Sequence, residues 1–177
     1  MEDVFQKLIL MIRAYYPVLY LHSYEYYRTK QKIKGIVELL RREGKKVNYY
    51  QWDCVYGLVQ ILPDKTEIRI ERMQNPLEVL AYILNSKKSG EKNIFVLDDI
   101  NNHIERDEVK LMFRKIAEAT NNNTHAIILS SIYRLPAELE KYITVLQIPL
   151  PKRNELGEVL DIVAKQSKVE LKTNLRN

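Results

Sequence analysis

Asp98 and Asp99 stand together at the end of the apolar run Ile94-Phe95-Val96-Leu97. Four consecutive apolar residues suit a strand buried on both faces. Ligands of open parallel sheets bind outside the carboxyl ends of the strands. Acids in that place are how nucleotide hydrolases hold magnesium and polarise an attacking water. The same pair can also do no more than end a strand and start a turn, because so short a motif recurs by chance. The other half of a nucleotide site decides between the two. A phosphate needs a glycine-rich loop whose backbone N–H groups wrap it, and a lysine that reaches it. After its first candidate strand, Val18 to Leu21, the chain instead reads His22-Ser23-Tyr24-Glu25-Tyr26-Tyr27-Arg28. The first glycine anywhere is Gly35, too late to shape that loop. Glu25 would repel phosphate at a helix start, where an anion is otherwise favoured, and the tyrosines would fill the space.

Other chemistry has less behind it. His22, His103, His125 and Cys54 are scattered without metal-ligand spacing, so no metal site is expected. Ser23, His22 and Asp98 can be drawn as a hydrolytic triad, but nothing such as Gly-x-Ser-x-Gly accompanies them. The 12 tyrosines are dense at Tyr15 to Tyr27 and at Tyr49-Tyr50. They suit base stacking, or amphipathic filling at core edges and an interface. Basic residues do not cluster with them, which favours the second reading. Trp52-Asp53, at the end of the second candidate strand, is expected to be a packing anchor.

The elements that would position these residues follow in order. Val4, Leu8, Met11 and Ile12 share one face of a helix over about Asp3 to Ala14, with Asp3 at its start. Tyr15-Tyr16-Pro17 ends it. The Val18–Leu21 strand leads into a long helix over Glu25 to Glu43, with Ile33, Ile36, Val37 and Leu40 as its core stripe and Gly44 as C-cap. Val47 to Trp52 reads as a second strand. Gly57 to Leu62 and Thr66 to Ile70, around Pro63-Asp64-Lys65, read as a hairpin. That hairpin is either a sheet extension or an edge that binds a partner. Asn75-Pro76 with Glu78 starts a helix whose buried face is Leu77, Leu80, Ala81 and Leu84. After Asp99 a polar loop, Asn101-Asn102-His103, precedes a helix from Asp107 carrying Val109, Met112, Phe113, Ile116 and Ala117. Ala126 to Leu129 is a fourth strand ending in Ser130-Ser131. Leu135-Pro136 opens a short helix to about Lys141, and Ile143 to Ile148 is a fifth strand. A last helix carries Leu156, Val159, Leu160 and Val163, weakened by Gly157. Strands alternating with helices predict an α/β fold of three layers, αβα, with about five parallel strands and a β-hairpin insertion. The alternation alone does not choose between strand orders, a flavodoxin-like one included.

The totals bound the rest. A chain of 177 residues that is 46% hydrophobic and 29% charged fits one domain with a sizeable core. The 5 glycines and 6 prolines leave little room for a long flexible linker. Cys54 is the only cysteine, which excludes an internal disulfide and points to a reducing, cytoplasmic compartment. The acidic start and the apolar run Leu8 to Ile12, broken by Arg13, are neither a signal peptide nor a membrane span. A net charge of +5 and a pI near 9.1 permit contact with nucleic acid, but no dense basic tract stands out. Weak binding at most is expected.

In order, these segments resemble AAA+ ATPases. Ile94 to Asp99 is similar to their Walker B strand, and Ile127-Ile128-Leu129-Ser130-Ser131 to the sensor-1 strand. Leu135 to Glu140, followed by Ile143 to Pro151, is similar to the run into their fifth strand. More closely, Ile12 to Leu21, Trp52 to Leu58, Asn75 to Glu78 and Leu135 to Leu146 resemble one family. It is the amino-terminal region of the AAA-domain ATPases of cyanobacteria, algal plastids and other bacteria. The resemblance covers about residues 4 to 165 and implies an AAA-like, P-loop NTPase-like topology. It divides the chain into a degenerate AAA-like domain, 1 to 165, and a tail, 166 to 177. In that family an intact ATPase module follows, so this chain looks like a fragment or a product that stops early. The resemblance assigns Asp98 and Asp99 as degenerate Walker B-like and Ser130 and Ser131 as sensor-1-like, and assigns no catalytic residue. Arg134 does not convincingly match an arginine finger. ATP and magnesium would belong to the parent ATPase, with no cofactor expected on this chain. The expected function is a non-hydrolytic module acting in assembly or partner binding, its partner being the ATPase module of the same protein in an oligomer. Glu25, Asp98, Asp99 and Arg134 are the expected interface, with the Gly57–Ile70 hairpin as a second candidate edge. The alternatives are a module that binds ATP only when assembled, and a nucleic-acid-binding domain.

Overall fold

The computed structural model describes residues 4–86, 91–119 and 123–150. The expectations for Asp3, for the helix after Pro151 and for the tail lie outside the described residues. Seven strands form one sheet: β1 (Val18–His22), β2 (Val47–Asp53), β3 (Gly57–Ile61), β4 (Glu67–Ile70), β5 (Lys92–Asp98), β6 (Thr124–Ser130) and β7 (Thr144–Gln147). Their order is β4-β3-β2-β5-β6-β1-β7. The pairings β2–β5, β5–β6, β6–β1 and β1–β7 are parallel, which gives the five expected parallel strands. The flavodoxin-like order is thereby excluded.

Strands β2, β3 and β4 are an antiparallel meander. The hairpin is therefore a sheet extension. The turn into it is built by Asp53, whose carboxylate accepts from the N–H of Val55 (2.8 Å) and of Tyr56 (2.7 Å). Gly57 then adopts φ +75°, and an added Cβ would meet the Met73 backbone at 3.1 Å. Both reasons require glycine. Ile70 packs against the core rather than facing outward.

The layers follow from the period-two alternation of the strands. Leu19, Leu21, Ile94, Val96, Ile127 and Leu129 face α1 (Val4–Arg13) and α2 (Tyr26–Arg42). Val18, Tyr20, Phe95, Leu97, Ala126 and Ile128 face α3 (Pro76–Asn85) and α4 (Asp107–Glu118). Each fully buried Leu or Ile contributes about 2 kcal/mol. Helix α2 ends in a Schellman motif: Gly44, at φ +80°, donates to the Arg41 carbonyl at 3.0 Å, and Lys45 to that of Leu40 at 3.1 Å. Asn75 caps α3 by accepting from the N–H of Leu77 at 2.9 Å. The buried face of α3 is Pro76, Val79, Leu80 and Ile83, one position away from the expected stripe. Both stripes are apolar, so periodicity alone could not choose between them.

Candidate functional site

Parallel neighbours β5, β6 and β1 end side by side: Asp98 is level with Leu129, and one residue further on Ser130 is level with His22, so these polar residues form a row along the sheet end. The chain then turns sharply. Asp99 takes the left-handed conformation at φ 52°, which Asp tolerates better than bulky residues do. Its N–H donates to the Leu129 carbonyl at 3.0 Å. The expected loop after it is a 3₁₀ turn, Ile100–His103, in which Asn101 is buried. Asn101 Nδ2 donates to the Ile132 carbonyl at 2.8 Å, and Tyr20 Oη donates to the same carbonyl at 2.6 Å. These bonds hold the loop after β6 against the strand ends.

Helix α2 supplies what fills the row. Tyr26 Oη donates to Asp99 Oδ1 at 2.5 Å and accepts from the Ser131 N–H at 2.9 Å. Ser130 Oγ donates to the same Asp99 oxygen at 2.7 Å. One turn along the helix from Tyr26, Lys30 forms an ion pair with Asp98 Oδ2. The other Asp98 oxygen is buried with no hydrogen-bond partner. Burial raises the Asp98 pKa above the usual carboxylate range; Lys30 opposes this and the nearby charges of Asp53 and Asp99 add to it. Burial, and then Asp99, likewise raise the Tyr26 phenol.

The eight residues from His22 to Thr29 occupy the place and length of a G-x-x-x-x-G-K-[ST] loop between strand and helix. His22 and Tyr27 stand at the glycine positions, Arg28 at the lysine and Thr29 at the hydroxyl. Each is engaged inside the chain or carries a ring. Arg28 donates to Glu25 Oε2 at 2.6 Å and to the Pro149 carbonyl at 3.1 Å. Thr29 is buried and its hydroxyl bonds Ser23 Oγ at 2.8 Å. Glu25 precedes the first turn of α2 without capping it through its side chain. A nucleotide phosphate would meet a carboxylate, two rings and cations that already have partners. These residues do not fit ATP and magnesium.

The drawn triad does not form. His22 Nε2 donates to the Ser131 carbonyl at 3.0 Å and Nδ1 lies 2.6 Å from Gln147 Oε1, while Ser23 bonds Thr29 and Asp98 bonds Lys30. Among the described residues no His, Cys, Asp and Glu group could hold a metal ion. Trp52 is buried, and its Nε1 donates to the Met73 carbonyl at 2.6 Å, as a packing anchor should. Arg134 lies exposed on the loop after β6, its N–H donating to Tyr20 Oη at 3.2 Å. Sequence reasoning missed Tyr26 and Lys30 as partners of the carboxylates. The available signal was their i, i+4 spacing, which puts both on one helix face at the end of the sheet.

The SpoVK-like AAA ATPase N-terminal domain model matches residues 4–148. The chain belongs to this family. It is similar to the uncharacterized AAA domain-containing protein ycf46 of Guillardia theta, 28% identical over 153 residues, covering 85% of this chain and 28% of that protein. The counterpart of that name in Pyropia yezoensis is 25% identical over 173 residues, covering 97% of this chain and 33% of its own length. This AAA-family chain thus spans no more than about a third of these relatives, and they bear the name of an AAA domain-containing protein. Among the described residues of this N-terminal domain, no helix is long and apolar enough to cross a membrane.

Proposed function

We propose that this domain is a non-hydrolytic AAA-like module of a larger AAA+ ATPase and acts in assembly or partner binding. One observation carries the reading: the Tyr26 hydroxyl sits between Asp99 and the Ser131 N–H, with Lys30 on Asp98 beside it. In this reading Asp98 and Asp99 are the remnant of a Walker B pair, and Ser130 and Ser131 of a sensor-1 end. Their hydrogen-bonding capacity is turned to holding the sheet end rigid. ATP and magnesium belong to the parent's ATPase module. Membranes play no part, and contact with nucleic acid is weak and removed by salt.

The second reading is an ATP-binding module that works only when assembled. The unpartnered Asp98 oxygen is what favours it. A titration of the 177-residue chain with a fluorescent ATP analogue and magnesium separates the two. The proposal expects no saturation below about 1 mM, a binding free energy weaker than roughly 4 kcal/mol, and no phosphate release. Micromolar binding that Asp98→Asn abolishes would overturn it in favour of the second reading.

A further inference from the structure

The polar residues of the strand ends turn inward, and what they leave outside is aromatic. Tyr24 and Tyr133 are 64% and 50% exposed and flank the His22 ring, with centroids 5.4 and 6.3 Å from it. Tyr133 also rests on buried Tyr20 at 5.5 Å, which fixes its ring from below. Ile132, next to it, is 52% exposed, although its carbonyl is anchored by both Tyr20 and Asn101. An apolar side chain held outward by a doubly bonded backbone has a low entropy cost of docking. Tyrosine and arginine are the residue types that concentrate binding energy at interfaces, and Arg134 follows Tyr133 directly.

The occupant is indicated by where the described chain goes. Strand β7 runs to the same end of the sheet, with Gln147 against His22. The Pro149 carbonyl is then held by Arg28, and Leu150 beside it is 65% exposed. Sequence beyond residue 150 therefore sets out from the rim of the aromatic patch. In the relatives more than half of the protein lies outside the matched region. A domain tethered at this point meets the patch at a high effective concentration, so a modest aromatic surface suffices.

We propose that Tyr24, Ile132 and Tyr133 form the docking surface for the AAA ATPase domain of the parent protein. This rests on the reading of the chain as a module of a larger ATPase. It deepens that reading by moving the contact from the carboxylates to the rings above them.

Hydroxyl-radical footprinting with mass spectrometry tests it, comparing the 177-residue chain alone with the intact parent ATPase. Tyr24 and Tyr133 should be modified at least about fivefold more slowly in the parent, as in a desolvated interface core. Tyr15, at the opposite end of β1, should be modified equally in both. Slowing at Tyr56 with Tyr24 and Tyr133 unchanged would overturn the patch, move the contact to the meander and keep the assembly reading. Equal modification of all these tyrosines would overturn both the patch and assembly through this module. The ATP titration judges nucleotide inertness separately. In the intact parent, Tyr24→Ala, an exposed change that leaves the fold alone, should release the protection of Tyr133.

Discussion

Two partly buried ionisable groups lie at opposite ends of this sheet, and the protein treats them by opposite means. At the carboxyl end, Asp98 is matched by a charge, Lys30, and one of its oxygens is left without a partner. At the amino end, half-buried Lys92 is held by dipoles. Its Nζ donates to the Ile12 carbonyl at 3.3 Å and to His125 Nε2 at 3.0 Å, and it lies 4.8 Å from the Tyr15 ring centre. His125 can accept there because its Nδ1–H donates to the Tyr16 carbonyl at 2.7 Å, which fixes the neutral tautomer. Burial lowers the Lys92 pKa, and Lys45 adds to this. A charge matched by a charge depends on its partner. A charge held by a carbonyl, an imidazole and a ring survives the loss of any one of them. The carboxyl end is thus the end where a single substitution should matter most.

The largest expected effect breaks that dependence. Lys30→Met leaves Asp98 buried and uncompensated, and should cost about 3 kcal/mol in urea unfolding, the low end for a buried pair because both groups keep some exposure. Lys92→Met should cost no more than about 1 kcal/mol, since it removes a poorly solvated charge along with its hydrogen bonds. Adding Asp98→Asn to Lys30→Met should recover most of the loss. Equal losses for the two lysine variants would erase the distinction between the ends.

The next effect is a pH dependence of opposite sign at the two ends. His125 is fully buried, and burial lowers its pKa from 6.5 to about 4, with Lys92 adding to the effect. Below about 6.5 the unfolded chain takes up a proton that folded His125 refuses until about 4, so acidification favours unfolding. Stability from this group is whole above about pH 6.5 and should fall by about 2 kcal/mol on going from about pH 7.5 to about pH 5. The raised pKa of Asp98 acts the other way. Above the ordinary carboxylate range the unfolded chain has lost a proton that folded Asp98 still holds, so rising pH through that window lowers stability. Urea midpoints across pH for His125→Gln and Asp98→Asn should lose slopes of opposite sign. A His125→Gln variant that keeps the full acid sensitivity would show that the histidine is not its source.

How much of this could be read beforehand follows the range of the interactions. Among the described residues, the alternation of strand and helix, the Gly44 and Asn75 caps and the hairpin turn at Pro63-Asp64-Lys65 rest on neighbours in sequence, and they appear where the residues placed them. The pairing order of the strands is a long-range property that alternation does not encode, so only the family resemblance supplied it. The α3 stripe was ambiguous because the helix is apolar nearly all round. Asn101 looked like loop because its composition is polar, yet it is buried: a carbonyl on another element accepts from its Nδ2. At the site, the acids and the missing glycines were legible as residue types. The role of Tyr26 depends on the rotation of α2 over the ends of β5 and β6, which no local pattern states.

The smallest expected effect sharpens the comparison within the carboxyl end itself. Asp99 sits beside Asp98, yet its carboxylate accepts from two neutral hydroxyls, those of Tyr26 and Ser130. Tyr26→Phe keeps the ring and removes one of these donors together with the acceptor of the Ser131 N–H. Asp99 retains Ser130, so the loss should be about that of one or two ordinary hydrogen bonds, roughly 1 to 1.5 kcal/mol in urea unfolding. It should fall well below the Lys30→Met loss, because no charge is left alone. Affinity for the ATP analogue should not rise, since the ring still fills the loop and no glycine has been supplied. A loss as large as that of Lys30→Met would mean that Asp99 relies on Tyr26 as Asp98 relies on its lysine. A gain of micromolar ATP binding would mean that the hydroxyl alone had closed the site, and that the missing glycines were not what made it inert.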